Sequence, residues 1–326
     1  MSTHSLNLRG VISEAKCIIN AHSRHFLALS VLFLLPLSFS IIVYPFLSHP
    51  TSILSSYNRV LLAQVPPADK FIPVLYALFV LVFSLFASAS ITYSTFHGFY
   101  GRPVKFVSSM KSILFSFLPL LVTVSIAALF VGVVCLGVGF IAWLSFNGLL
   151  LLGFEIDYDG LFVMLSATLI AVLLIGLVVY VLAEWHLVNV IAVVESQWGF
   201  APLKRSSHLM KGMKKVGISM IVLFGLGLGL MSFSCLMLVP YIFSCFRLVP
   251  NSAGWIDRAF LIFICIVQAG IMTLWMLYAA ASNVVLFMYC KALHGELAFE
   301  IAQEFSREYV CLPFDDGKVP RVVYVA

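Results

Sequence analysis

The chain has 326 residues, 62% of them apolar and only 10% charged, with a formal net charge of +5 and a mean hydropathy of +1.08. Soluble domains carry about 25% charged and about 45–50% apolar residues, so no water-facing fold of this length hides so much apolar surface. That excludes a cytosolic enzyme, a disordered tail, a disulfide scaffold and a nucleic-acid-binding domain, and leaves an all-α, polytopic integral membrane protein.

In chain order, a cytosolic amphipathic helix comes first, with Val11, Ile12, Ala15, Ile18, Ile19 and His22 on one face. A crossing needs about 20 apolar residues, and six stretches qualify, roughly 27–47, 72–96, 113–135, 161–183, 217–240 and 259–288. The first exceeds the usual signal-peptide core of about 7–15 residues and no small-residue cleavage site follows, so it reads as a signal-anchor. The uncharged run 113–154 fits one span or two, and charge arbitrates. With six spans and a cytosolic N-terminus, 15 of the 19 Lys and Arg are cytosolic and 4 lie outside; splitting the run leaves 8 inside and 11 outside. The positive-inside rule selects six spans with N- and C-termini both cytosolic. The acidic loop of Glu155, Asp157 and Asp159 then lies outside. The plasma membrane or the endomembrane system is the expected location.

A recurring segment organises this pattern. Gly101-Arg-Pro-Val-Lys-Phe-Val-Ser108 and Gly199-Phe-Ala-Pro-Leu-Lys-Arg-Ser-Ser207 share Gly, then Pro, Lys two later and Ser five later, and a span follows each. The N-terminal counterpart starts at Gly10. Three tandem units are expected, about 8–98, 99–197 and 198–293, each an interfacial helix followed by two spans. Residues 291–326 form a cytosolic C-terminal helix and tail. Each unit's first span carries a helix-loosening residue, Pro36, Pro119 or Gly225; a proline there kinks the helix unless neighbours re-satisfy the freed carbonyl.

In the third unit Pro202 supplies a helix start, and Lys204, His208, Lys211 and Lys215 follow at i, i+4, i+7 and i+11, with Arg205 beside them. Such a stripe suits the plane of an anionic leaflet, and it equally fits ordinary positive-inside charge without lipid specificity. Leu203, Leu209, Met210 and Met213 lie in part opposite it. The only formal charge in an apolar run is Glu184, beside Trp185 and His186. The run 161–194 is about 51 Å long as a helix, against a core of about 30 Å, which puts Glu184 at the cytosolic headgroup level. It is an interface anchor or a functional carboxylate. Gln268, Asn189 and Asn283 are the polar groups near mid-membrane, and Gly225 and Gly229 offer a smooth face for helix contact.

The C-terminal region reads as a helix over 291–309, with Leu293, Leu297, Ile301 and Phe305 on one stripe and Glu296, Glu300, Glu304 and Glu308 on another. Like charges four apart oppose a helix and an anionic leaflet repels them. The acidic stripe is therefore expected to dock on Lys204, Lys211 and Lys215 or on a basic partner protein, or else to stand solvated.

Signatures of catalysis are missing: no H-E-x-x-H, G-x-S-x-G or P-loop occurs. His22 and His25 are too few ligands for a metal, and Asp157 and Asp159 lack the rest of a calcium loop. No metal or cofactor is implied. Among the seven cysteines no metal-type pair occurs; Cys135, Cys235 and Cys265 fall in apolar runs, and Cys17 or Cys290, near a membrane edge, is a candidate for palmitoylation.

The segments Glu195–Gly212, Tyr289–Glu296 and Leu312–Pro320 resemble a family of plant multi-pass membrane proteins, a likeness covering nearly the whole chain. The Gly–Pro–Lys–Arg–Ser–Leu–Gly element is weakly similar to the membrane domain of some bacterial glycerophosphodiesterases, whose catalytic domain this chain lacks. The resemblance implies no substrate and no catalytic residue. The expected function is non-enzymatic: a membrane protein organising lipids or partner proteins at the cytosolic face. The alternative is a transporter or channel for a neutral or apolar solute, favoured by the repeats and kinked helices. An intramembrane enzyme has only Glu184 and His186 behind it.

Overall fold

A computed structural model describes residues 7–48, 71–102, 104–151, 161–248 and 254–299. Every element in them is helical: α1 (Leu8–Ala21), α2 (Ser23–Leu29), a π-helical turn (Ser30–Leu34), α3 (Leu35–Ser48), α4 (Phe71–Phe99), α5 (Phe106–Leu151), α6 (Leu161–Glu184), α7 (Val188–Val194), α8 (Ala201–Leu209), α9 (Lys214–Leu248) and α10 (Gly254–Leu293). Helices suit lipid because they satisfy their own backbone groups. Six segments are long and apolar enough to cross a membrane, Ser23–Tyr44, Phe71–Phe99, Phe106–Leu144, Met164–Val194, Lys214–Cys235 and Ile262–Leu293. Each overlaps one expected span. The ambiguous run is one helix, α5, as far as Leu151, with no hairpin among its described residues.

Packing is concentrated at one end of the bundle. There the buried face of α1 (Val11, Ala15, Ile18, Ile19) joins Phe26 and Leu29 of α2, Ile91 of α4, Val190–Val193 of α7 and Val284–Met288 of α10 in one apolar core. Away from that end the spans are sparsely covered: Leu165, Leu169, Val172 and Leu173 of α6 are each about 60% exposed, as expected of side chains whose solvent is lipid. A second, smaller cluster ties α3 to α10 through Ile42, Ala269 and Met272. Beside it the buried Ser38 hydroxyl lies 2.8 Å from Thr273 Oγ1 and 3.1 Å from the Ala269 carbonyl.

Several local expectations change. The π-helical turn directly precedes Pro36, and such a widened turn relieves the clash of a proline ring with the preceding carbonyls. By contrast α5 runs on through Pro119 and α9 through Gly225. The close approach in α9 falls at Gly227, not Gly225: a Cβ there would sit 2.4 Å from Trp275 Cζ2, whereas at Gly225 and Gly229 it would meet nothing within 4 Å. The Trp275 indole donates to the Phe224 carbonyl at 3.1 Å. The basic stripe is not one helix. It breaks after Leu209, with Gly212 at φ +96°, and helix resumes at Lys214. The middle unit has no separate interfacial helix, because α5 starts at Phe106 and continues straight into its span. The expected 291–309 helix is interrupted at His294–Gly295, where Gly295 has φ +76°, and resumes over 296–299. Pro103, the loop 155–160 and residues 300–326, which include Glu300, Glu304 and Glu308, lie outside the described residues.

Candidate functional site

The polar chemistry gathers at the packed end, where the long run 161–194 is folded. Helix α6 stops at Glu184, a turn follows, and the short α7 packs inward with Val188, Val190, Ile191 and Ala192 buried. Breaking a helix frees backbone groups that must be re-paired. Ser206 of α8 does this: its hydroxyl donates to the Glu184 carbonyl at 2.8 Å and accepts from the Leu187 amide at 3.3 Å. Ser206 is fully buried.

Glu184 is thus fixed at this turn. Its carboxylate pairs with Lys214 at the start of α9 and accepts a hydrogen bond from Ser207 at 2.9 Å. Lys214 also stands 5.4 Å from the centre of the Tyr180 ring. His186 lies against Asn283, yet its Nε2 and Asn283 Oδ1 are both buried and without a hydrogen-bond partner among the described residues. The structure therefore separates two neighbours that the sequence grouped together. Glu184 is the ionic clasp, and His186 faces the bundle interior.

A second ionic group is centred on Arg205. Its guanidinium reaches both Glu296 oxygens, one of them from Nη1 at 3.0 Å, and its Nε lies 3.4 Å from Glu195. Glu195 in turn lies 3.4 Å from Lys291 Nζ, and Lys291 is only 2% exposed. The forked guanidinium suits such bidentate pairing. Hydrogen bonding to Glu296 raises the Arg205 pKa further, against the opposing effect of burial. The same bond holds the Glu296 carboxyl below the usual carboxylate range, with Lys291 and His294 adding to it. The His208 and His294 rings meet nearby at a tilt of 43°, their centres 5.3 Å apart. Together Glu184, Glu195, Arg205, Lys214, Lys291 and Glu296 lock α8, the start of α9 and the chain beyond α10 onto the α6–α7 turn.

Of the acidic stripe expected to dock on Lys204, Lys211 and Lys215, Glu296 alone lies among the described residues. Glu296 engages Arg205; Lys204, Lys211 and Lys215 are exposed. Because Gly212 breaks the stripe, those lysines do not share one helix face. Glu195, Lys214, Lys291 and Ser206 are not among the sequence-predicted site residues, and Ser207 enters there only as the shared Ser of the recurring segment. The signal for them was present: Lys291 and Glu195 flank apolar runs and count as ordinary flank charges until the fold brings them together. A third polar group lies across the same end, where His25 Nε2 is 2.9 Å from Ser94 Oγ and 3.3 Å from Ser109 Oγ, with both serines fully buried. It bonds α2 to α4 and α5. No group of three or more metal-ligating side chains occurs among the described residues. Cys290 is fully buried, whereas Cys17 is exposed, so of the two candidates only Cys17 presents its thiol.

These clasps can hold helices in register. No curated protein and no solved structure matches the chain. A family profile described as a domain of unknown function, DUF8558, matches residues 2–304, and the chain belongs to that family.

Proposed function

We propose that the protein is a non-enzymatic, six-span membrane protein that organises anionic lipid or a partner protein at the cytosolic face. The observation that carries this reading is the sorting of charge at the packed end. Glu184, Glu195 and Glu296 are consumed by ion pairs with Lys214, Lys291 and Arg205, while Lys204, Lys211 and Lys215 stay exposed and paired with no carboxylate among the described residues. The surface left over is cationic, and near an anionic leaflet each cation contributes about 1 kcal/mol. Orientation follows from the positive-inside rule, with both termini cytosolic. The three-unit organisation is supported by Gly101 and Gly199, which both take positive φ just ahead of the shared Pro–Lys–Ser pattern, two and three residues before its proline. The likeness to plant multi-pass proteins and to the glycerophosphodiesterase membrane domain belongs to the same reading.

The test uses full-length protein in phosphatidylcholine liposomes, with and without phosphatidylserine, assayed for lipid enrichment and for release of a trapped neutral solute. Enrichment of the anionic lipid around the protein without release supports the proposal. Release above that of protein-free liposomes would overturn it in favour of a channel or transporter.

A further inference from the structure

The end of the bundle away from the ionic clasps carries two thiols that face each other. Helices α9 and α10 run antiparallel, and two contacts set their register. Trp275 lies on Gly227 and donates to the Phe224 carbonyl at 3.1 Å, and Gln268 donates to the Met231 carbonyl at 3.3 Å. One turn further from the clasps, four residues after Met231 and three before Gln268, stand Cys235 and Cys265. Residues three and four apart share a helix face, so both thiols lie on the faces that the two helices turn toward each other. Their neighbours show the same phase. Met231 and Cys235 of α9 and Cys265, Ala269 and Met272 of α10 belong to one apolar cluster with Ile42 of α3. Phe233 and Met237 beside Cys235, and Phe263 and Ile266 beside Cys265, are each more than half exposed on the lipid side. Both thiols are partly buried, and they are close enough to interact electrostatically.

We propose that Cys235 and Cys265 form a disulfide that staples α9 to α10 at the outer boundary of the membrane. Cys235 lies 21 residues after Lys214, about 31 Å along a helix, which matches a hydrocarbon core of about 30 Å. With the clasps at the cytosolic end, the pair stands at the opposite boundary, beside the compartment where disulfides form and persist. This placement rests on the orientation proposed above. The structure shows both residues as thiols, and an apolar setting makes a packed thiol a poor nucleophile. The bond therefore forms during insertion, before the span ends close, by exchange with a disulfide of glutathione or of an oxidoreductase in the outer compartment. One cysteine thiolate attacks the donor disulfide, giving a mixed disulfide and releasing one donor thiolate. The second cysteine thiolate then displaces the remaining donor sulfur. One S–S bond forms as one breaks in the donor, which is reduced, and the two cysteine protons end on the two donor sulfurs.

The experiment maps disulfides in full-length protein from cells trapped with N-ethylmaleimide before lysis. Trypsin cuts after Lys215, Arg247, Arg258 and Lys291, so the link joins peptide 216–247 to peptide 259–291, and fragmentation by mass spectrometry assigns the sulfurs. The Cys235–Cys265 link is expected in the native chain, persisting in Cys245→Ser and Cys290→Ser and absent from Cys235→Ala and Cys265→Ala. A link that runs through Cys245 instead overturns the register. Thermal unfolding in detergent gives a second readout. A reducing agent should lower the Tm of the native chain by about 5 °C and leave both alanine variants unmoved. The double alanine variant should fall no further than either single one, because each loses the same bond; additive losses overturn the staple and leave two independently packed side chains. Copper phenanthroline, a small membrane-soluble oxidant, separates the two ways of failing. A native chain that lacks the link and gains it in full on oxidation overturns the native staple and places the failure in the orientation. A chain that keeps both thiols even then overturns the juxtaposition itself and leaves the orientation and the lipid reading untouched.

Discussion

At the scale of single residues the protein turns on Arg205. It bridges the carboxylates of Glu195 and Glu296, each of which is partly screened from solvent. Replacing it with Ala strips Glu296 of its bidentate partner and leaves Glu195 with Lys291 alone. Hydrogen bonds to charged groups contribute about 1.5–3 kcal/mol net, and partial exposure trims this. Arg205→Ala is therefore expected to cost about 1–2 kcal/mol, read as a fall in Tm in detergent. Arg205→Lys, which cannot fork, should fall between the two. The pH dependence follows from Glu296, whose carboxyl Arg205 holds below its ordinary value of 4.5. Because the folded value is the lower one, this contribution is fully present above about 4.5 and is lost as pH falls through the folded value. A Tm profile across that window should flatten in Glu296→Gln. An unchanged slope would show that the Glu296 pair contributes nothing. Sequence pattern exposed the acidic residue but not its mate, since Arg205 and Lys204 are adjacent and only the helix phase of α8 decides which one turns inward.

At the scale of elements, the spans were legible and their interruptions were not. Apolar length and charge bias predict six crossings because both quantities are summed over about twenty residues and tolerate local error. Breaks depend on single backbone conformations. Gly212 looked like an unremarkable member of a basic helix, yet its φ of +96° ends α8, and an added Cβ would lie 3.1 Å from Leu293 Cδ2. Gly212→Ala should thus cost about 1–2 kcal/mol from backbone strain, seen as a lower Tm, with loosening of the 294–299 segment in hydrogen exchange. The glycines of α9 make the complementary case. The Gly225–Gly229 spacing directed attention to a helix-contact motif, whereas the side chain that fills the groove, Trp275, selects Gly227. Gly227→Val should expel the indole, break its bond to Phe224 and cost about 1–3 kcal/mol or more; Gly225→Ala and Gly229→Ala should be nearly silent. Intrinsic Trp fluorescence shifting to a more polar or lipid-exposed position in Gly227→Val alone would report the displacement.

At the scale of the whole molecule, what matters is which side of the membrane each loop occupies. An even number of crossings puts both ends of the chain in one compartment, and the helical breaks do not alter that parity, because the seven-residue α7 is too short to cross by itself. Had the run 113–154 been a hairpin, the chain after it would be inverted, carrying Lys204, Lys211 and Lys215 to the other side. Helix α5 is continuous from Phe106 to Leu151, so its geometry and the charge count favour the same answer by independent routes. A cysteine-free background, with the seven native cysteines replaced, allows the test. Lys204→Cys sits at an exposed position on α8, and Asp157→Cys sits in the acidic segment between α5 and α6. In intact cells or sealed vesicles an impermeant maleimide is expected to label one and spare the other, and permeabilisation should equalise them. Labelling of both from the same side before permeabilisation would overturn the six-span arrangement. It would also carry the cationic surface away from the anionic cytosolic leaflet on which the lipid reading depends.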